Sequence, residues 1–299
     1  MSQVLLGMPA PVKSMGVVAN TTKPAALAAV KELLEVANRQ GISVTLEEEL
    51  GHHLDTDTMQ LCVANELAEE VQCLVAFGGD GTILRTARLV AGRLCPILGV
   101  NLGRLGFLAE IAPDQLAWAV SKLVAGDFLI DQRMTLTARL DGGEQTLTAL
   151  NDIVIDKGDQ SRIISLDVRE DGQWVNTYVA DGLIVATPTG STGYSLAAGG
   201  PILKPGVDAM IATPISPHSL TVRPMVFGSD VLLRISAAGA EGKQMRLTAD
   251  GQESCSLSNG DSVEVGKGEG QTFLVRFAHT SYYDVLRQKM HWGMDKKLR

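Results

Sequence analysis

Three clusters of residues in this 299-residue chain have the types and spacing to do chemistry. The sharpest is Gly78-Gly79-Asp80-Gly81-Thr82, which follows an apolar run at 74–77 and opens a helical pattern carrying Ile83, Leu84, Ala87 and Leu89. A strand-to-helix turn leaves the first helical N–H groups unpaired at the carboxyl end of the strand, where the helix dipole adds partial positive charge. Glycines let that backbone approach a polyphosphate closely. Asp80 is the odd member, because a carboxylate repels phosphate. Its chemistry is coordination of Mg²⁺ or removal of a proton from an attacking hydroxyl. Capping the helix is the plain alternative, and Thr82 does that equally well without the charge.

The second cluster, Thr187-Pro188-Thr189-Gly190-Ser191-Thr192-Gly193-Tyr194-Ser195, follows an apolar run at 183–186 and precedes Leu196-Ala197-Ala198-Gly199-Gly200-Pro201. It sets hydroxyls and backbone donors around one tyrosine, a composition suited to hydrogen-bonding a nucleotide's sugar and phosphates and stacking its base. The third is Asn101-Leu102-Gly103-Arg104-Leu105-Gly106-Phe107, whose backbone can approach a ligand while Arg104 offers charge. No G-x-x-x-x-G-K-[ST] occurs, and Gly99, Gly103 and Gly106 miss the G-x-G-x-x-G spacing, so Walker-type and dinucleotide-fold motifs are excluded.

The elements that position these clusters change character along the chain. Up to about residue 130, strand and helix signals alternate: strands at 15–19, 42–46, 73–77 and 97–100, and helices near 24–40, 59–70, 82–91 and 113–125. In the first helix Leu27, Val30, Leu34 and Ala37 recur at helical spacing until Gly41 ends it. Such alternation predicts a parallel sheet covered by helices. From 131 to 278 the pattern turns to period two, as in Met134, Leu136, Ala138 and Leu140, with tight-turn signals at Asp141-Gly142, Asp171-Gly172 and Asp250-Gly251. The expected fold is therefore α/β: a parallel-sheet domain over 1–130, a β-rich antiparallel domain over 131–278, and a helix within 279–299 returning to the first domain.

Composition narrows the function classes. Hydrophobic residues at 45% and charged residues at 20% are ordinary globular usage, and the net charge of −8 opposes nucleic-acid binding. The basic tail Lys296, Lys297, Arg299 reads as solvated. Cys62, Cys73, Cys95 and Cys255 lack metal-type spacing and read as reduced thiols. No apolar run approaches the length of a membrane span or a signal core, so a cytoplasmic protein with no membrane partner is expected. His52-His53 with Asp55 reads as a loop rather than a metal cluster, His218 as a loop residue among prolines, and His279 and His291 as isolated.

Taken together, Gly78-Gly79-Asp80-Gly81, Asn151-Asp152 and Asp181-Gly182 with Thr189-Gly190-Ser191-Thr192-Gly193-Tyr194-Ser195 resemble, in this order and separation, the NAD kinase family over about residues 15–284. The resemblance implies phosphoryl transfer from ATP, with Mg²⁺ or another divalent cation, to the 2′-hydroxyl of NAD's adenosine ribose. Asp80 would be the general base, and Gly78, Gly79, Gly81, Thr82 and Arg85 would belong to the nucleotide-binding set. Asn151, Asp152 and the stretch Thr192, Gly193, Tyr194, Ser195, Leu196, Ala197 would contact the adenosine half, with Thr189 and Ser191 in the same loop. Asp181 and Arg162 would complete that pocket across a subunit interface, with Gln252 as a further binding position. The family usually has alanine where Gly193 stands. The partners implied are small nucleotides and a second copy of the chain, as a homodimer or homotetramer. The rivals are a lipid or sugar kinase related to diacylglycerol kinase and phosphofructokinase, which lacks the Asn151-Asp152 and Thr189–Ser195 pattern, and a protein that binds NAD without turning it over.

Overall fold

The computed structural model describes residues 5–6, 10–54, 60–143, 145–159, 162–238, 244–278 and 281–292. They divide into two compact units, one containing the described residues up to Gln132 together with those from Thr272 onward, the other containing Arg133–Gln271. The strands Leu129–Leu140 and Ser262–Arg276 run on from one unit into the other. No helix among the described residues is long and apolar enough to cross a membrane.

The first unit is built on a parallel sheet ordered Ile97–Asn101, Cys73–Gly78, Ser14–Ala19, Ser43–Glu47, Gln60–Cys62. Met15 pairs with Cys73, and Phe77 with Val100, which fixes a common level for the strand ends. From Ser14–Ala19 the chain moves out to one side and then returns to build Cys73–Gly78 on the other. The order therefore reverses between these two strands, the place where open α/β sheets bind ligands at the carboxyl ends. The helix Pro24–Gln40 starts with Pro24 in its first turn and ends at Gly41 in the left-handed conformation, whose N–H bonds back to Asn38. Its core face is Ala26, Ala29, Val30, Leu33, Val36 and Ala37, with Leu27 and Leu34 half-buried at the margin of the predicted stripe.

One predicted helix is not formed. Over 60–70 the chain makes the short strand Gln60–Cys62 and a four-residue helix, Leu67–Glu70, while Met59 lies outside the described residues. Pairing of Gln60 with Thr45 and Cys62 with Glu47 extends the sheet by one strand, and that tertiary pairing overrides the local helical pattern. The last part of Ser262–Arg276 adds a further parallel strand beside Ile97 through Leu274. There Arg276 bonds Glu110 (2.9 Å) and Asp131 (3.2 Å), both buried, and the Phe277 N–H donates to Glu110 (2.8 Å). The closing helix Tyr282–Met290 is capped by the Ser281 hydroxyl, buries Leu286, and sets the Lys289 ammonium 5.0 Å from the centre of the Phe107 ring.

The second unit is antiparallel. One sheet runs Met225–Gly228, Ala209–Ile215, Gly182–Ala186, Asp152–Asp156, Met245–Ala249, Glu253–Leu257; another joins Gln173–Ala180, Ile164–Glu170, Leu233–Ala238 and the start of Ser262–Arg276. Alternate residues such as Ile153, Ile155, Leu247, Ile164, Leu166 and Ile235 fill its core. Asp171 and Gly172 both take positive φ between strands that pair Glu170 with Gln173, the geometry of a two-residue hairpin turn.

Candidate active site

In the α/β unit the strand Cys73–Gly78 is wholly buried and gives way at Gly79 to the helix Asp80–Leu89, which has no side-chain cap. A Cβ added at Gly79 or Gly81 would meet nothing within 4 Å, so protein packing does not require glycine at either position. That open space is what a ligand's phosphates would use. Asp80 turns toward the following loop, where its Oδ2 accepts from the Phe107 N–H (2.9 Å) and its Oδ1 from the Leu108 N–H (3.1 Å). Each carboxylate oxygen retains a lone pair for another partner. Thr82 is half-buried, and its hydroxyl occupies the space that a Cβ on Gly78 would need.

Arg85, one helical turn on, pairs both guanidinium nitrogens with the buried Glu47 (Nη1 to Oε2, 3.0 Å). Arg104 is exposed. Beside the glycine turn, at the end of Ser14–Ala19, Asn20 accepts from the Thr22 N–H and hydroxyl, and its own N–H bonds the Phe77 carbonyl (3.1 Å). Sequence reasoning took this turn only as a helix start; the sheet order makes it a neighbour of Gly78. For a metal the donor set is thin. Among the described residues no three His, Cys, Asp or Glu side chains are grouped to hold an ion. Asp80 alone fits Mg²⁺ in one manner, as a single carboxylate for an ion carried mainly by nucleotide phosphates and water.

The β-rich unit holds a cavity of about 550 Å³ lined by Asn151, Asp152, Tyr194, Thr248, Asp250 and Gln252, among others. Its organiser is Asp250, at positive φ in the turn after Met245–Ala249. The carboxylate accepts three backbone N–H groups, from Leu150 (2.8 Å), Asn151 (2.7 Å) and Asp152 (3.1 Å). Thr187 grips the same segment from the other side: its hydroxyl donates to the Leu150 carbonyl (2.6 Å) and its N–H to the Asn151 carbonyl (2.8 Å). Gly190 then passes so near that a Cβ there would lie 2.1 Å from the Asn151 carbonyl oxygen.

The hydroxyl-rich loop is mostly turned inward. Ser191 donates to the Pro188 carbonyl (2.6 Å) and accepts from the Leu203 N–H (3.0 Å), Ser195 shares a hydrogen bond with Thr213 (2.9 Å), and Thr189 accepts from Arg133 (3.1 Å). All three are buried, and these bonds shape the loop. Thr192 bonds back to the Thr189 carbonyl (3.2 Å). At Gly193 a Cβ would lie 3.3 Å from the Gly190 carbonyl oxygen, and Leu196 and Ala197 follow in a short helix, half-buried and exposed in turn. Tyr194 is the side chain the loop delivers to the cavity, 47% exposed. Of the remaining predicted residues, Gln252 lines the cavity, Asp181 is paired with Lys157 (2.7 Å), and Arg162 is exposed.

Electrostatically the cavity is acidic. Burial, with the Asp250 charge behind it, pushes the Asp152 carboxyl up to about 7. The Tyr194 phenol is also raised, by burial first and then by Asp156, Asp152 and Asp181. Val154, Asp156, Arg246, Thr248 and Ser254 also line it and were not singled out from the sequence. Their signal was the period-two alternation, which puts 152, 154 and 156 on one face with 246, 248 and 250.

Against known proteins, residues 15–128 match the family model of the ATP-NAD kinase N-terminal domain and residues 150–277 that of the ATP-NAD kinase C-terminal domain. The NAD kinase of Citrifermentans bemidjiense is 41% identical over 285 residues, covering 94% of this chain and 99% of that protein. That of Geotalea daltonii is 40% identical over 284 residues, with the same coverage. Among solved structures, an Archaeoglobus fulgidus NAD kinase in complex with ATP superposes with a TM-score of 0.74 at 28% identity, covering 93% of this chain and 98% of the other. The yeast NADH kinase complexed with NADH has the same fold, with a TM-score of 0.89 at 23% identity and coverage of 97% and 90%. Two family models that together span most of the chain, and relatives about 40% identical along nearly all of it, establish that the chain belongs to the NAD kinase family.

Proposed function

We propose that this chain transfers the γ-phosphoryl group of ATP to the 2′-hydroxyl of the adenosine ribose of NAD, giving NADP and ADP. The observation that carries the reading is Asp80: a carboxylate at the start of a helix, held by two backbone N–H groups beside glycines that leave open space. Phosphoryl transfer through a loose transition state asks a protein chiefly to position donor and acceptor and to balance charge. Gly78, Gly79, Gly81 and Thr82 form the turn that receives the phosphates of ATP, the Thr82 N–H closing it on the Gly79 carbonyl (3.0 Å), and Arg85, through Glu47, steadies the helix behind them. Asp80 takes the proton of the 2′-hydroxyl as that oxygen bonds to the γ-phosphorus and the bond to the β–γ bridging oxygen breaks. Asp80 would be the one side-chain carboxylate beside a Mg²⁺ carried by the nucleotide, which would supply charge neutralisation at the phosphates.

The dinucleotide side is the cavity of the β-rich unit. Asn151, Asp152, Tyr194 and Gln252 contact NAD, while Thr189, Ser191, Thr192, Gly193 and Ser195 hold the loop that presents Tyr194. Asp181 and Arg162 complete the pocket from a second copy in a homodimer or homotetramer. Four free cysteines, two of them buried, suit a cytoplasmic protein.

The test is NADP formation from NAD, ATP and Mg²⁺ by the purified chain beside Asp80→Asn. The parent is expected to make NADP, and the folded, NAD-binding variant to lose most of that rate. A parent inactive with both ATP and polyphosphate would overturn the assignment of the acceptor.

A further inference from the structure

Asp80 is held by the N–H groups of two consecutive residues, Phe107 and Leu108, and each of these is gripped in turn by a side chain of the segment 276–289. Leu108, which is buried, gives its N–H to Asp80 Oδ1 and accepts at its carbonyl from Arg276 Nη1 (3.2 Å). Phe107 gives its N–H to Asp80 Oδ2, and the Lys289 ammonium stands over its ring.

Arg276 is itself fixed. The same Nη1 bonds Glu110 (2.9 Å) and Nε bonds Asp131 (3.2 Å), both carboxylates being buried. The next residue, Phe277, donates its N–H to the other oxygen of Glu110 (2.8 Å) and sets its ring 4.6 Å from that of Trp118. Glu110 is tied to the parallel sheet, its N–H donating to the Gly99 carbonyl (2.9 Å) on the strand that pairs with Cys73–Gly78. Charge-assisted bonds hold geometry closely, so Leu108 is referred to the same sheet that carries the glycine turn. A buried ion pair adds little stability over apolar residues of the same size, which makes stability alone a weak reason for this arrangement. Position is a stronger one: a displacement of about 1 Å in a reacting group costs on the order of a hundred-fold in rate.

We infer that Arg276 and Lys289 are positioning residues for phosphoryl transfer, fixing Asp80 through the backbone of Leu108 and the ring of Phe107. The inference rests on the kinase reading above, in which Asp80 is the general base.

The experiment measures kcat, KM for NAD and KM for ATP on the full chain, with the melting temperature alongside. Lys289→Met removes the charge from a half-buried side chain and is expected to lower kcat about three-fold, with both KM values within two-fold of the parent. Lys289→Arg, which also stacks on an aromatic face, restores the parent rate. In a Phe107→Leu background Lys289→Met should have no further effect, because the ring through which it acts is gone. Arg276→Lys keeps a cation beside Glu110 and Asp131 but supplies one nitrogen where arginine places two. It is expected to lower kcat at least ten-fold, again with both KM values held. A role in stability alone moves the melting temperature and leaves kcat per folded molecule unchanged.

A kcat within two-fold of the parent in either folded variant overturns the assignment of that residue. A loss of kcat matched by an equal rise in both KM values overturns it too, as a general loss of shape. An effect of Lys289→Met that persists in Phe107→Leu removes Lys289 from the inference. Should Arg276→Lys not fold, the double variant Arg276→Met with Glu110→Gln, which deletes one charge of each sign, is judged by the same criterion. Should the parent make no NADP, the kinase reading fails on its own, and hydrogen exchange of the Phe107 and Leu108 amides decides the bracing of Asp80. Exchange at least three-fold faster in Arg276→Lys and Lys289→Met upholds the bracing, and exchange within two-fold of the parent sinks it.

Discussion

Gly106 stands where any side chain would displace Asp80: a Cβ added there would lie 2.0 Å from Asp80 Oδ1. The contact is within a hydrogen-bonded arrangement, since Asp80 accepts from the next two backbone N–H groups, Phe107 and Leu108. Gly106→Ala must therefore push the carboxylate off its donors or move the loop. We predict that Gly106→Ala stays folded but loses at least ten-fold in kcat for NADP formation, with Kd for NAD unchanged. Steady-state kinetics beside NAD titration by calorimetry read the two quantities separately.

Asp250 is predicted to matter as a scaffold. Replacing it by asparagine puts an NH₂ group against backbone N–H donors that now share two carboxylate oxygens. At least one of the three N–H groups then loses its acceptor, a loss of about 1–3 kcal/mol when the group is buried. Asp250→Asn should lower the unfolding free energy by an amount in that range and raise KM for NAD more than KM for ATP. It also removes the neighbouring negative charge, so the Asp152 carboxyl should titrate lower, which carbon-13 NMR of the side chain can follow.

How much of this was legible in the residues depends on whether a signal was local. The alternation of apolar runs and helical stripes foretold the parallel sheet, and period two foretold the antiparallel one, because both patterns express which face is buried. The helix expected over 59–70 failed where pairing with Ser43–Glu47 decided the outcome, a contact no local window contains. In the site, Asp80 was visible as an anomaly among glycines, yet its bonds to the N–H groups of Phe107 and Leu108 span 27 and 28 residues of sequence. Asp250 read as a turn residue because its three acceptor bonds reach back about a hundred positions to Leu150, Asn151 and Asp152. The hydroxyls of Ser191 and Ser195 read as ligand donors, since composition cannot tell an inward-facing hydroxyl from an outward one.

Stability should depend on pH through Asp152. Its carboxyl titrates at about 7 in the folded chain and near the ordinary aspartate value of 3.8 once unfolded. Between these values the folded state holds a proton that the unfolded chain has released, so unfolding free energy falls as pH rises from about 4 to about 7 and levels off above that. Asp152→Asn removes the titrating group and with it this part of the slope. Urea unfolding at pH 5 and pH 8, in parent and variant, measures the difference; an unchanged slope in Asp152→Asn would place the titration elsewhere.

Arg85 illustrates how a residue expected at the nucleotide can serve it from behind. Its guanidinium bonds Glu47, which is 5% exposed, so truncating the arginine leaves a buried carboxylate without its partner. Arg85→Met is predicted to cost about 1–3 kcal/mol of stability, because it leaves the buried Glu47 carboxylate without its bond while the arginine side chain, 32% exposed, loses less. Glu47→Gln in the same chain should recover much of that loss, because the remaining group is neutral. ATP phosphates bound directly by Arg85 would produce the opposite pattern: the double variant would regain stability while KM for ATP stayed at least ten-fold raised. With the guanidinium committed to Glu47, KM for ATP in the double variant is expected within about two-fold of the parent. Chemical denaturation and ATP kinetics on the two single variants and the double variant separate the roles.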